Sequence, residues 1–281
     1  METKNYMGQN QKILNKWQKA FEMNGGDSNK FCWDGIMFKG KLEQEKGTNN
    51  WARNESEDHI ENQLWFEAKP RILFLTKEQN IKDGDAWDLR IESYRNSDKE
   101  LDVKYKFNRM LVYILYGLAN TTSDITVKFD DITNKDALKL ADEHPFARIN
   151  CNKEGGEDSC PNTRLSDAMH IYGTYLLEQI NNLDADVFVC CGSTYSGYHI
   201  DKKNLSLDFL NHNGYDFKYA GDKFNDIYYD KEKNKLAIDS FHISYPFKKD
   251  EYLYNQCVQT YYQFLQVHPN FLKLLRKQRV R

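Results

Sequence analysis

Apolar residues along this chain fall into two alternating patterns: short continuous runs, and longer stretches spaced by three and four. Ile13, Leu14, Trp17 and Phe21 share one face of a helix over residues 9–23, and Gly25-Gly26 supplies a stop. Residues 39–58 are polar with little periodicity, which predicts a mobile, flap-like loop before a short helix around residues 60–66. The run Ile72-Leu73-Phe74-Leu75 is then of the kind found in strands buried on both faces. Phe107, Met110, Leu111, Ile114, Leu115 and Leu118 follow at helical spacing. The alternation repeats with a strand at Phe146-Ala147-Arg148-Ile149 and a long helix striped by Leu165, Met169, Leu176, Ile180 and Leu183. A third strand is predicted at Val187-Phe188-Val189-Cys190. Two short β-like runs, 215–219 and 226–229, lead to a fourth strand over 236–241, and Leu253, Cys257, Val258, Tyr261 and Leu265 mark a closing helix.

Strands alternating with helices long enough for crossovers imply a three-layer α/β/α fold around a central, mostly parallel four-stranded sheet. Residues 1–68 read as an N-terminal helical extension and loop, and 69–281 as the α/β domain. Ligands of such sheets bind outside the carboxyl ends of the strands, so the chemistry is sought in residues 76–80, 150–153, 192–195 and 242–247.

With 281 residues, 40% of them hydrophobic, the chain can bury one good core. No apolar run approaches the ~20 residues of a membrane span, and the first residues lack a secretory pattern, so a cytoplasmic protein without membrane contact is expected. The six cysteines contain no CxxC pair, which predicts reduced thiols, no metal and no cofactor. A net charge of −3 speaks against a uniformly basic nucleic-acid binder, yet 39 Lys and Arg leave room for a local basic face. Lys248, Lys249, Lys273, Arg276, Lys277, Arg279 and Arg281 are the candidates for it.

Glu78, after the first strand, can act as a general base or oppose a developing cation; a solvated surface carboxylate is an equally ordinary reading. Asn150 offers a donor and an acceptor suited to a base edge, or a simple loop cap. Gly192-Ser193-Thr194 can cradle a phosphate or cap a helix. After the fourth strand, His242 can donate to a leaving anion, Ser244 can hold a phosphate, and Tyr245 or Phe247 can wedge into a base stack. Asp85, Trp87 and Asp88 add two further carboxylates and a stacking wall, or merely a packed loop. No G-x-S-x-G elbow and no G-x-x-x-x-G-K-[ST] loop is present, against an α/β hydrolase and a P-loop enzyme.

Together these strand ends resemble the uracil-DNA glycosylase superfamily. Leu75-Thr76-Lys77-Glu78-Gln79-Asn80 resembles its first motif, with Glu78 in the place of the water-activating carboxylate, and Ala147-Arg148-Ile149-Asn150 resembles the strand ending in the base-reading Asn. His242-Ile243-Ser244-Tyr245-Pro246 resembles the His-Pro-Ser motif, with Ile243 in place of Pro; Thr76 and Gln79 replace the usual Gly and Pro of the first motif. The resemblance implies a DNA glycosylase acting in repair or in defence against phage with modified DNA, with DNA as partner. A catalytically inactive nucleic-acid-binding module of the same fold is the alternative.

Overall fold

The structure, a computed structural model, describes residues 4–47, 50–81, 84–91, 93–95, 101–156, 160–195, 202–220 and 226–278. The chain opens with α1 (Tyr6–Met23), whose first turn is closed by the Asn5 side chain accepting from the Gly8 amide. Then come β1 (Gly35–Ile36), β2 (Leu42–Gln44), β3 (Asn50–Arg53), α2 (Ile60–Glu67), β4 (Ile72–Thr76) and β5 (Ser93–Arg95). The middle contains α3 (Lys106–Asn120), α4 (Asn134–Glu143), β6 (Phe146–Asn150), α5 (Asn162–Leu183), β7 (Val187–Tyr195), β8 (Lys202–Lys203) and α6 (Leu205–His212). The last elements are β9 (Lys218–Tyr219), β10 (Ile227–Asp230), β11 (Lys235–Phe241), α7 (Asp250–Val267) and α8 (Phe271–Gln278).

The four expected strands form the parallel heart of the main sheet, in the order β6-β4-β7-β11. The sheet is wider than the expected four strands, because antiparallel partners extend both margins. β1 pairs with β6 on one side, β10 and β9 continue beyond β11 on the other, and β8 pairs with the far end of β7. Residues 39–58, expected as a loop, contribute β2 and β3, which join β5 in a separate three-stranded antiparallel sheet.

Helices cover both faces. On one, Met110, Ile114, Leu115 and Leu118 of α3 and Leu253, Val258 and Tyr261 of α7 pack over Ile72, Phe74, Val187, Val189 and Ile238. On the other, Leu14 and Trp17 of α1 and Leu176 and Ile180 of α5 pack over Leu73, Leu75, Ile149 and Phe188. Both faces of β4 are thus covered, which is why its apolar run is continuous rather than alternating. The first 68 residues are part of this architecture: α1 lies on α5, and β1 sits in the main sheet. Among the described residues no helix is long and apolar enough to cross a membrane.

Candidate functional site

The crossover from β4 to β6 runs to one side of the sheet and that from β6 to β7 returns to the other. The order reverses between β4 and β7, and such switch points open a crevice at the carboxyl ends of the strands. Lys77 leaves β4 there and its stem lies across Gly192 of β7; a β-carbon on Gly192 would come within 3.1 Å of Lys77 Cε. The Lys77 ammonium donates to Asn162 Oδ1 at 3.1 Å and approaches the Cys160 carbonyl at 3.5 Å. Burial holds its pKa below the ordinary lysine value.

His242 follows β11 directly. Its Nδ1 lies 2.9 Å from the Ser244 hydroxyl and 3.4 Å from the Ser244 amide, an arrangement that makes Nδ1 an acceptor and puts the neutral ring's proton on Nε2. Burial, then the positive charges of Arg148 and Lys77, lower the imidazole pKa to about 4, so the ring is neutral at physiological pH. The Phe107 ring of α3 stands 5.8 Å from the imidazole and 4.3 Å from the Arg148 guanidinium carbon. Arg148 and Lys77 were not foreseen as site residues. The available signal was a charged residue in the middle of an otherwise apolar strand.

Glu78 is enclosed, its side chain only 3% exposed. Asn152 donates to Oε2 at 2.9 Å and Arg164 of α5 lies 3.5 Å from the same oxygen. Oε1 is buried without a hydrogen-bond partner beneath Gly156, where a β-carbon would collide with it. This lid forms because strand-like pairing continues past β4 and β6: the Asn152 amide donates to the Lys77 carbonyl and the Ile81 amide to that of Gly156. The neighbouring Cys160 thiol is pushed up to about 12 by burial and by the Glu78 carboxylate, which leaves it a poor nucleophile.

Asn150 is fully buried, its Oδ1 accepting from the Thr76 hydroxyl and its Nδ2 donating to Cys32 Sγ at 3.5 Å. Both ends of the amide are committed inside the protein. Asp88 grips Arg90, with Nε at 2.9 and 3.1 Å from its two oxygens, while Asp85 is exposed. Trp87, 48% exposed, has its backbone pinned by the Gln79 amide, which bonds both the Trp87 N–H and C=O at 3.1 Å. Of the aromatics after His242, Tyr245 stacks on Phe241 at 5.1 Å, whereas Phe247 is 82% exposed. Gly192-Ser193-Thr194 lies within β7, so these residues form neither a helix cap nor a turn around a phosphate.

No group of three or more His, Cys, Asp or Glu suited to a metal ion occurs among the described residues. No protein-family model matches the chain, and no curated protein matches it.

Proposed function

We propose that the protein is a DNA glycosylase that flips a damaged or modified base into the crevice at the strand ends and hydrolyses its N-glycosidic bond. The observation that carries this reading is His242, a neutral imidazole at a strand end whose Nε2 proton no described residue accepts. Such a donor suits a base that departs with negative charge, while the oxocarbenium-like sugar calls for an anion and an activated water on its other side. Glu78 fills that role once the segment 152–156 is drawn back from it. Trp87 and Phe247, exposed beside the strand-end loops, supply aromatic surface for stacking or for wedging between bases. Excision serves equally in repair and in defence against phage with modified DNA.

The enclosure of Glu78 and the commitment of both ends of the Asn150 amide favour one other reading, a nucleic-acid-binding module of the same architecture without catalysis. One experiment separates the two. The purified protein is incubated with DNA duplexes and single strands each carrying one modified base, and abasic sites are then cleaved with alkali. A glycosylase yields scission at one or more modified positions, and Glu78→Gln lowers its single-turnover rate by roughly 10²-fold or more while DNA binding persists. Binding without scission across the panel supports the inactive module. Full activity in Glu78→Gln removes Glu78 from the mechanism.

A further inference from the structure

Among the described residues, Arg148 is a cation without a paired anion. The guanidiniums of Arg53, Arg71, Arg90, Arg109 and Arg164 each meet a carboxylate. Arg148 stands in the middle of β6, in register with Phe74 on the face covered by α3 and α7. Its Nε is buried with no hydrogen-bond partner, and no described carboxylate forms an ion pair with it. Asp34, whose charge reaches it, is already held by Lys153 at 2.6 and 2.7 Å. The contact it does make, 4.3 Å from its guanidinium carbon to the Phe107 ring centre, is a cation–π contact that leaves the positive charge without a counter-ion.

Its surroundings add to the deficit. Among the described residues the Lys77 ammonium hydrogen-bonds only neutral acceptors, although the Glu78 charge reaches it, and the positive charges of Lys77 and Arg148 both bear on the same imidazole. Two partly desolvated cations with no ion-paired carboxylate among the described residues form a costly arrangement, and sites that keep such a cost are commonly those where a ligand supplies the missing charge. A guanidinium carries its N–H donors in a fixed planar fork that matches two oxygens of one phosphate.

We infer that Arg148, together with Lys77, seats the oxyanion of a phosphate-bearing ligand beside His242, whose Nε2 proton stays free for the base. The seat requires no bond cleavage and so stands or falls apart from the glycosylase reading. The phosphate comes either from a free phosphate monoester or from the phosphodiester of a nucleic acid. Both present the same oxygens.

The test uses the full chain in phosphate-free buffer, titrated separately with inorganic phosphate, a deoxynucleoside monophosphate and a short single-stranded oligodeoxynucleotide, with melting temperature and calorimetric binding as readouts. The wild type is expected to show saturable binding and a rising melting temperature with at least one probe. Arg148→Met keeps the stem and the Phe107 contact while removing the charge. It should weaken binding by roughly tenfold or more, and should melt no lower than the wild type when no anion is present. A response to the oligodeoxynucleotide alone assigns the phosphodiester; a response to phosphate or the monophosphate assigns the monoester. Absence of a saturable response to all three probes overturns the inference. So does an Arg148→Met protein that melts lower by the same amount with and without anion, the mark of a purely structural arginine. Excision with no anion response leaves the glycosylase reading standing and removes the seat, and anion binding without excision does the reverse.

Discussion

His242 and His144 are imidazoles that the fold keeps neutral, each with its pKa lowered to about 4, mainly by burial. Between pH 6.5 and about 4 the unfolded chain binds protons at these positions and the native chain does not. Their contribution to stability is therefore complete above pH 6.5 and is lost as pH falls toward 4. At pH 5 the loss approaches about 2 kcal/mol for each imidazole. The melting temperature of the wild type should accordingly drop between pH 7.5 and 5 by more than that of the double variant His144→Gln/His242→Gln; parallel curves would show that these imidazoles do not titrate as described. His242 and Ser244 were legible in the sequence because a strand end followed by polar residues marks a ligand position in this fold class. Arg148 was not. Its meaning lies in the absence of a paired carboxylate among the described residues, which only the packed molecule shows. Glu78 was legible as a residue, but its enclosure depends on Asn152, Gly156 and Arg164, which come from distant parts of the chain.

The N-terminal elements are fastened by a buried ion pair that no periodicity could announce. Asp34, just before β1, accepts from Lys153 and, at 2.8 Å, from the Asn150 backbone N–H, while Gln179 of α5 donates to it at 2.8 Å and Asn10 of α1 to its carbonyl at 2.8 Å. One aspartate, through its carboxylate and its backbone carbonyl, thus joins α1, β1, α5 and the end of β6, and Lys153 lies 4.8 Å from the Trp17 ring centre. Removing one partner strands the other in the interior. Asp34→Asn should cost roughly 3–5 kcal/mol, read as a lower midpoint in urea, and adding Lys153→Met should restore much of it because the orphaned charge is gone. If the double variant is no better than the single, the pair contributes through packing rather than charge. The parallel strands and the longer helices were legible for the opposite reason: their burial is written in local spacing. β2, β3 and β5 were not, since they are short and largely polar, and β3 finds one partner far along the chain.

For a protein of net charge −3, binding to DNA has to rest on where the cations stand. Arg279 and Arg281 lie outside the described residues. Lys273 is exposed on α8, but Phe271 and Leu275 of the same helix are each 1% exposed and belong to the core beneath α7. Deleting the C-terminal segment would therefore open the core and confuse loss of charge with loss of fold. Exchanging single charges avoids this. A better-defined basic face is the start of α7, where Phe247, Lys248, Lys249, Glu251, Tyr252 and Asn255 line a shallow groove of about 410 Å³. Lys248 spends its charge on the rings of Phe241 and Tyr252, at 5.6 and 4.4 Å, whereas Lys249 is exposed. If DNA runs over this groove toward His242, Lys249→Gln should weaken binding without sequence preference. It should also reduce the slope of log affinity against log salt by about 0.7 to 0.9, the value for one lost phosphate contact. Lys273→Gln serves as the comparison for the tail. An unchanged slope in Lys249→Gln with a reduced one in Lys273→Gln would move the DNA path to α8, and unchanged slopes in both would take it off these surfaces altogether.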